Sequence, residues 1–472
     1  MSENFFWYDS AKEDLNNFLI TGNESYTYKE IFSDADNLFR ESSRDIILIF
    51  CDKSISTITS YIGAIRNNIV PLLVDKDIKG GALKNILKAY KPKYILIDSS
   101  KNISEIYSEN IVESRLFKDA TLYNFDVIEK KLHNDLALLL LTSGSTGDPK
   151  SVRISKRNLQ VATENITKYL KLDHTSISLS LLPFHYSYGL SVIHNAIYTR
   201  SSILINLKDV LDKTLWTDCI KYKVTDISAV PFILELMSRM SFPDSFYEKL
   251  KRITQAGGRL EPRLTKHFIK LSQEKNFEYY TMYGQTEASP RISYVPPSKA
   301  LLKLGSVGKP LDCGDVFIEE HGNKSGDGEL IYTGDNVCMG YASSFLDLSE
   351  GDLLKGILKT GDIARIDEDN FITIIGRKKR FIKLKGISVN LDFVESLVKS
   401  SIQNAMVIGK DDNLIIVVEE FIDEKDKLEL KEIIKNNFNF HSSLIRIKED
   451  TLPKMSSGKP DYKKLTEKYL SC

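Results

Sequence analysis

Excess charge of either sign is absent from this 472-residue chain, in which 64 lysines and arginines meet 64 aspartates and glutamates. With no net charge there is no global field to draw it onto a nucleic acid or an anionic membrane, and neither partner is expected. Cysteine is scarce: Cys51, Cys219, Cys313, Cys338 and Cys472 are scattered and odd in number, with no Cys-x-x-Cys pair and no metal-ligand spacing. That pattern argues against a disulfide framework or a zinc site and fits reduced thiols. No apolar run approaches the roughly 20 residues of a membrane span. The opening stretch MSENFFWYDSAKEDLNNF lacks the basic flank and apolar core of a signal peptide, and the final residues are not the peroxisomal tripeptide. The expected compartment is therefore the cytoplasm. Internal repeats and low-complexity tracts are also missing.

What is present is a long alternation of short apolar runs and helical patterns. Ile46–Phe50, Val70–Val74 and Tyr94–Ile97 read as buried strands, with an amphipathic helix over Ser56–Arg66. Ile177–Leu182, Ile203–Asn206, Asp226–Ala229, Arg252–Gln255 and Glu278–Tyr283 continue the pattern, which predicts an α/β fold with parallel sheets. Denser turns between Ser293 and Phe371 suggest an antiparallel, barrel-like portion. The basic run Arg377-Lys378-Lys379-Arg380-Phe381-Ile382-Lys383-Leu384-Lys385-Gly386 marks an abrupt change after Gly376. The expected organisation is a large N-terminal domain of α/β sheets plus that β portion, 1–376, followed by a small mobile α+β domain, 377–472.

The stretch LALLLLTSGSTGDPKSV, Leu136 to Val152, carries the strongest chemical signal. An apolar strand empties into Thr142-Ser143-Gly144-Ser145-Thr146-Gly147-Asp148-Pro149-Lys150, whose glycines, hydroxyls and lysine suit a backbone wrapped around phosphate. A Walker loop requires glycine directly before its lysine; here Pro149 stands there and has no N–H to donate. After Lys150, Val152-Arg153-Ile154 reads as a strand and the helix starts near Ser155, whereas a Walker loop opens directly into a helix. An ordinary Gly/Ser turn remains the alternative.

Four further segments stand in order behind this loop: Gln255-Ala256-Gly257-Gly258-Arg259, Tyr283-Gly284-Gln285-Thr286-Glu287, Thr360-Gly361-Asp362 with Gly376-Arg377, and Pro453-Lys454-Met455-Ser456-Ser457-Gly458-Lys459. Each alone reads as a turn or a surface lysine. Together with TSGSTGDPKSV they resemble the signatures of the adenylate-forming superfamily, which includes acyl-CoA and aryl-CoA synthetases, peptide-synthetase adenylation domains and luciferases. The likeness is greatest to the acyl- and aryl-acid ligases.

The resemblance implies ATP, Mg²⁺ and coenzyme A or a carrier protein's phosphopantetheine as cofactors. It implies that Thr142 to Gly147 and Lys150 hold the phosphates and that Gly257, Gly258 and Arg259 line the adenine edge. Tyr283 and Gly284 flank the base, Thr286 meets the α-phosphate and Glu287 holds the metal. Asp362 would accept both ribose hydroxyls, since a carboxylate accepts on two oxygens and donates nothing; Arg377 would contact the same sugar. Lys379 falls at the family's hinge, Gly386 near the pantetheine path, and Lys459 is the catalytic lysine. Ser151, Arg259 and Arg380 depart from the usual residues.

His185, in Leu182-Pro183-Phe184-His185-Tyr186-Ser187-Tyr188-Gly189-Leu190, resembles the residue these ligases place beside the substrate carboxylate. No acidic residue lies between Pro183 and Ser191 to receive an α-ammonium group, so a small carboxylic acid without a free α-amino group is the expected substrate. An acyl carrier protein is an expected possible partner. Alternatives are a luciferase-like oxygenase, an inactive scaffold member and, for the basic run, a nucleic-acid patch; interleaved Phe381, Ile382 and Leu384 favour a strand there.

Overall fold

The computed structural model describes residues 5–8, 14–22, 24–40, 42–78, 80–101, 103, 106–107, 109–141, 149–320, 326–384, 387–438, 444–454 and 460–470. The chain divides into two compact units, 1–315 with 332–358, and 316–331 with 359–472.

The first unit is built on two large sheets. One has eight strands in the order Gly340–Ala342, Ser151–Ser155, Leu136–Leu141, Val70–Asp75, Ile46–Cys51, Tyr94–Asp98, Ala120–Phe125, Ile111–Phe117. Its centre is parallel and its flanks antiparallel. The other has nine, ordered Lys309–Pro310, Ser293–Tyr294, Glu278–Tyr283, Arg252–Gln255, Asp226–Ala229, Ile177–Ser180, Ser202–Ile205, Asn17–Thr21, Glu24–Thr27. The six strands from Glu278–Tyr283 to Asn17–Thr21 run parallel. From Ile177–Ser180 the chain goes first to one neighbour, Ser202–Ile205, and then to the other, Asp226–Ala229. This reversal opens a crevice at the carboxyl ends of the strands, where ligands of such sheets bind.

One core contains Ile47 and Leu138 of the first sheet, Leu19 and Ile203 of the second, and Phe32, Ile58, Ile62, Leu190 and Ile193 from helices Tyr28–Leu38, Ile55–Arg66 and Ser187–Thr199. The helix read as amphipathic near Ser56–Arg66 is in fact buried on every face from Ser56 to Ile65. Its small Ser and Thr residues let it lie close against its neighbours, as in a helix covered on all sides.

Strand boundaries agree closely with the sequence pattern, but Ile177–Ser180 stops before Leu181 and Leu182, because Pro183 cannot continue the ladder. The stretch 293–371 is shared out: Ser293–Tyr294 and Lys309–Pro310 extend the nine-stranded sheet and Gly340–Ala342 the eight-stranded one. The remainder forms a four-stranded sheet, Gly314–Glu320, Gly328–Gly334, Ile357–Ile366 and Ile372–Arg377.

In the second unit the basic run makes a short turn, Lys378–Arg380, and a strand, Phe381–Leu384, paired with Ile387–Asn390. Ile382 and Leu384 are buried and Lys383 is exposed, so the charges occupy the solvent side of a strand. Arg380 donates to Asp392, to Glu395 at 3.2 Å and to the Val407 carbonyl at 3.1 Å, and lies 3.8 Å from the Tyr462 ring centre. It is held internally by its own unit rather than displayed. A three-stranded sheet, Ala405–Lys410, Asn413–Val418 and Ile445–Glu449, packs with helix Leu391–Lys399 to complete an α+β core.

Candidate active site

Three loops following strands of the first unit converge. Helix Ser187–Thr199 begins directly after the turn Pro183–Tyr186, and Gly189 makes the close approach possible: a Cβ there would lie 2.2 Å from the Pro183 carbonyl oxygen. In the first turn of this helix, Ser187 Oγ meets Thr286 Oγ1 at 3.2 Å. Thr286 and Glu287 follow strand Glu278–Tyr283 across Gly284, where a Cβ would fall 1.9 Å from the Pro290 carbonyl oxygen, so only glycine fits this turn. Glu287 Oε1 accepts from the Tyr341 hydroxyl at 3.0 Å, and its carbonyl accepts from Cys338 N–H at 2.8 Å. The Lys150 ammonium stands 3.6 Å from the centre of the Tyr341 ring. Burial, reinforced by the Glu287 charge, raises the Tyr341 phenol well above its ordinary value and keeps it a donor.

Tyr341 itself is fixed from behind. Arg153 is fully buried and donates to the carbonyls of Tyr341 at 3.1 Å, Glu350 at 2.6 Å, Met339 at 3.1 Å and Gly351 at 3.1 Å. This guanidinium clamps strand Gly340–Ala342 to Ser151–Ser155, the strand that follows Lys150. Neither Tyr341 nor Ser187 is singled out by sequence reasoning. Tyr341 lies 54 residues beyond Glu287 in a three-residue strand with no periodicity to expose it.

His185 sits between these elements and the eight-stranded sheet. Its Nε2 lies 3.7 Å from Asp75 Oδ2, at the end of strand Val70–Asp75, its ring packs on Tyr186 with centroids 4.3 Å apart, and among the described residues neither ring nitrogen has a hydrogen-bond partner. Burial lowers its pKa below the ordinary imidazole value against the pull of Asp75, which favours the neutral ring. Asp75 is a carboxylate that the local segment 183–191 does not contain; the fold supplies it from a different sheet.

Gly257 adopts φ +82°, and the Gly258 carbonyl accepts from Gln255 Nε2 at 2.8 Å, fixing this turn after strand Arg252–Gln255; Arg259 is exposed beyond it. Gln285 Nε2 reaches the Tyr283 hydroxyl at 3.4 Å. Thr142, Ser143, Gly144, Ser145, Thr146 and Gly147 lie outside the described residues, as do Gly386 and Lys459. Lys454 and Pro460, on either side of the last, form an antiparallel bridge.

In the second unit, Asp362 and Arg377 are cross-strand partners, with Arg377 Nε 2.7 Å from Asp362 Oδ1 and the aspartate only 2% exposed. Gly361, at φ +70°, turns its N–H to Glu329 Oε1 at 3.2 Å, and Lys378 Nζ reaches the other oxygen of the same carboxylate at 2.6 Å. Among the described residues no group of three or more His, Cys, Asp and Glu gathers to hold a metal, and no helix is long and apolar enough to cross a membrane.

Comparison with known proteins gives a consistent set of relatives. The 2-succinylbenzoate–CoA ligase of Staphylococcus aureus is 26% identical over 497 residues, covering 98% of this chain and 99% of that protein. The Staphylococcus epidermidis protein of the same name is 24% identical over 499 residues, covering 99% and 98%. Among solved structures, o-succinylbenzoate CoA synthetase (MenE) of Bacillus subtilis in complex with the acyl-adenylate OSB-AMP matches with TM-score 0.77 at 22% identity, covering 98% of each chain. ATP-bound MatB of Rhodopseudomonas palustris matches with TM-score 0.80 at 19% identity, covering 99% of each. These structural likenesses establish the fold, that of the adenylate-forming enzymes. The AMP-binding enzyme family matches residues 9–342, well over half the chain, and the chain belongs to that family.

Proposed function

We propose that this chain is an AMP-forming acid–thiol ligase that activates a carboxylic acid with ATP as an acyl-adenylate, releases pyrophosphate, and passes the acyl group to a thiol. The observation that carries the reading is the unbroken line of contacts from Ser187 through Thr286 and Glu287 to Tyr341 and Lys150, with His185 two residues from its start. A cation, three hydroxyls and a carboxylate are thereby gathered near the carboxyl ends of parallel strands. This is the set that in-line attack of a carboxylate on an α-phosphoryl group needs.

Lys150 binds phosphate oxygens as a point charge, and Thr286 donates to the α-phosphate. Glu287 fits Mg²⁺, which takes one or two carboxylates plus substrate phosphates rather than a protein cage. One of its oxygens is turned by Tyr341 and the other takes no hydrogen bond from the described residues. Bound there, the ion would neutralise charge on the phosphates as the α-phosphoryl group is attacked. Neutral His185, packed on the Tyr186 ring with Asp75 3.7 Å from its Nε2, is available to orient the acid. Asp362 and Arg377 are assigned to the ribose, Tyr283 with Gly257 and Gly258 to adenine, and Lys459 to the reacting carboxylate and phosphate.

The acid proposed first is 2-succinylbenzoate, from the names of the relatives, and the thiol is coenzyme A; an acyl carrier protein would present the same pantetheine arm. The cytoplasm is the proposed compartment. We place the mobile segment after Gly376, with Lys379 as its pivot and Gly386 on the pantetheine side. Asp75 beside His185 motivates including amino acids in the test. With Mg-ATP, coenzyme A and a panel of acids, AMP and an acyl-CoA identified by mass spectrometry are expected with an aromatic or dicarboxylic acid. Products formed only with proteinogenic amino acids would reverse the substrate assignment.

A further inference from the structure

Strand Ile111–Phe117 ends the eight-stranded sheet, far in the strand order from the residues of the proposed site, and its outer edge is paired with no other strand among the described residues. Every residue from Ile111 to Leu116 is exposed, with Val112 at 65% and Leu116 at 74%; the strand has no lysine or proline, and its edge is blunted only by Glu113, Arg115 and a bulge at its start. A bulge between Ile111 and Glu113 leaves a regular ladder from Glu113↔Asn124 to Phe117↔Ala120. The two-residue turn Lys118–Asp119 closes this hairpin, so Phe117, Arg115 and Glu113 direct their backbone bonds inward to Ala120–Phe125. Ser114 and Leu116 therefore present N–H and C=O outward.

The sequence IVESRLF is complementary to its own reverse. Folded back about Ser114, its regular part sets Glu113 against Arg115 and Ser114 against itself. Directly opposed residues of antiparallel strands share a face. One face of such a pairing would thus carry two Glu–Arg pairs and the other Ser114 against itself with a Leu116 on either side, while the bulge at Val112 takes Ile111 and Val112 out of this alternation. Glu113 and Arg115 already bond one another at 2.7 Å within the strand while remaining 49% and 42% exposed, so both charges stand at the surface a second copy would meet.

We propose that this edge is the interface of a two-fold homodimer, two copies of the chain pairing antiparallel about Ser114. Self-complementarity is what a two-fold interface demands, because each residue must meet the partner of its own partner.

Sedimentation equilibrium of the full chain over a wide concentration range tests it. A reversible monomer–dimer equilibrium is expected. Ser114→Pro removes an outward N–H that the edge tolerates losing but the pairing does not, and should weaken the dimer about tenfold or more. Glu113→Arg places like charges opposite Arg115 twice and should weaken it comparably. Glu113→Arg with Arg115→Glu restores both pairs and should return the dimer to within about threefold of the original. Unfolding curves check each variant, and the charge swap decides the matter should the proline variant fail to fold. A chain monomeric at every concentration, or a dimer indifferent to Glu113→Arg, overturns the proposal.

Discussion

Lys150 has an exposed ammonium seated 3.6 Å from the centre of the Tyr341 ring, and Tyr341 in turn donates to Glu287 at 3.0 Å. Because Lys150 holds up no core, Lys150→Ala should leave the unfolding transition unchanged while costing about 1.5 to 3 kcal/mol in kcat/KM for ATP, the scale of one charge-assisted hydrogen bond. Steady-state kinetics beside a thermal melt read both quantities. Tyr341→Phe removes the hydroxyl that turns Glu287 and should raise the Mg²⁺ concentration needed for half-maximal rate, with the fold intact. A different residue contributes to the acid dependence of stability. His194 is buried, its Nε2 lies 2.7 Å from the Tyr61 hydroxyl, and burial pushes its pKa down to about 3. An unfolded histidine takes a proton near pH 6.5, so the unfolded state binds the extra proton and stability falls as pH drops below that value toward about 3. The slope from this one group is about 1.4 kcal/mol per pH unit. Urea unfolding between pH 7 and pH 4 should show a shallower decline in His194→Gln than in the parent.

At the level of elements, the site depends on turns that bring backbone against backbone. Gly189→Ala and Gly284→Ala drive a methyl to 2.2 Å and 1.9 Å from the backbone carbonyl oxygens of Pro183 and Pro290, so the turns themselves must shift. Each should cost about 1 to 3 kcal/mol of stability by urea unfolding, with loss of ATP use beyond what unfolding explains. Gly81→Ala, with open space around it, should change little. The strands that carry these turns were legible in the sequence because they are apolar runs of strand length bounded by glycine and proline. Asp226–Ala229, Arg252–Gln255 and Glu278–Tyr283 stand where the pattern puts them. The pair Asn17–Thr21 and Glu24–Thr27 and the hairpin Ile111–Phe125 were not legible, being short, mixed in polarity or exposed. The helix Ile55–Arg66 reads as amphipathic only because serine and threonine count as polar, and the sandwiching between sheets that buries it is a tertiary fact. For the same reason the motif residues Thr286, Glu287 and Lys150 could be named from sequence, whereas Tyr341, Asp75 and the Arg153 clamp come from distant segments that only the fold unites.

For the molecule as a whole, the proposed chemistry needs Lys459 for the first half-reaction and a clear path for the thiol in the second. Lys459→Ala should slow acyl-adenylate formation by about 10² to 10³, the scale of removing one preorganised charge. Thioester formation from supplied acyl-adenylate should be far less affected. Lys379→Pro, which restricts the backbone at the proposed pivot, should show the reverse preference. Equal slowing of both steps in each variant would remove the two-conformation scheme while leaving the ligase reading standing. That reading is tested most directly by acid-dependent exchange of labelled pyrophosphate into ATP with every thiol left out. Exchange that requires the acid and Mg²⁺ and is lost in Glu287→Gln is expected. An absence of exchange with every acid offered, or an acid-dependent release of ADP and phosphate instead of AMP and pyrophosphate, would contradict it.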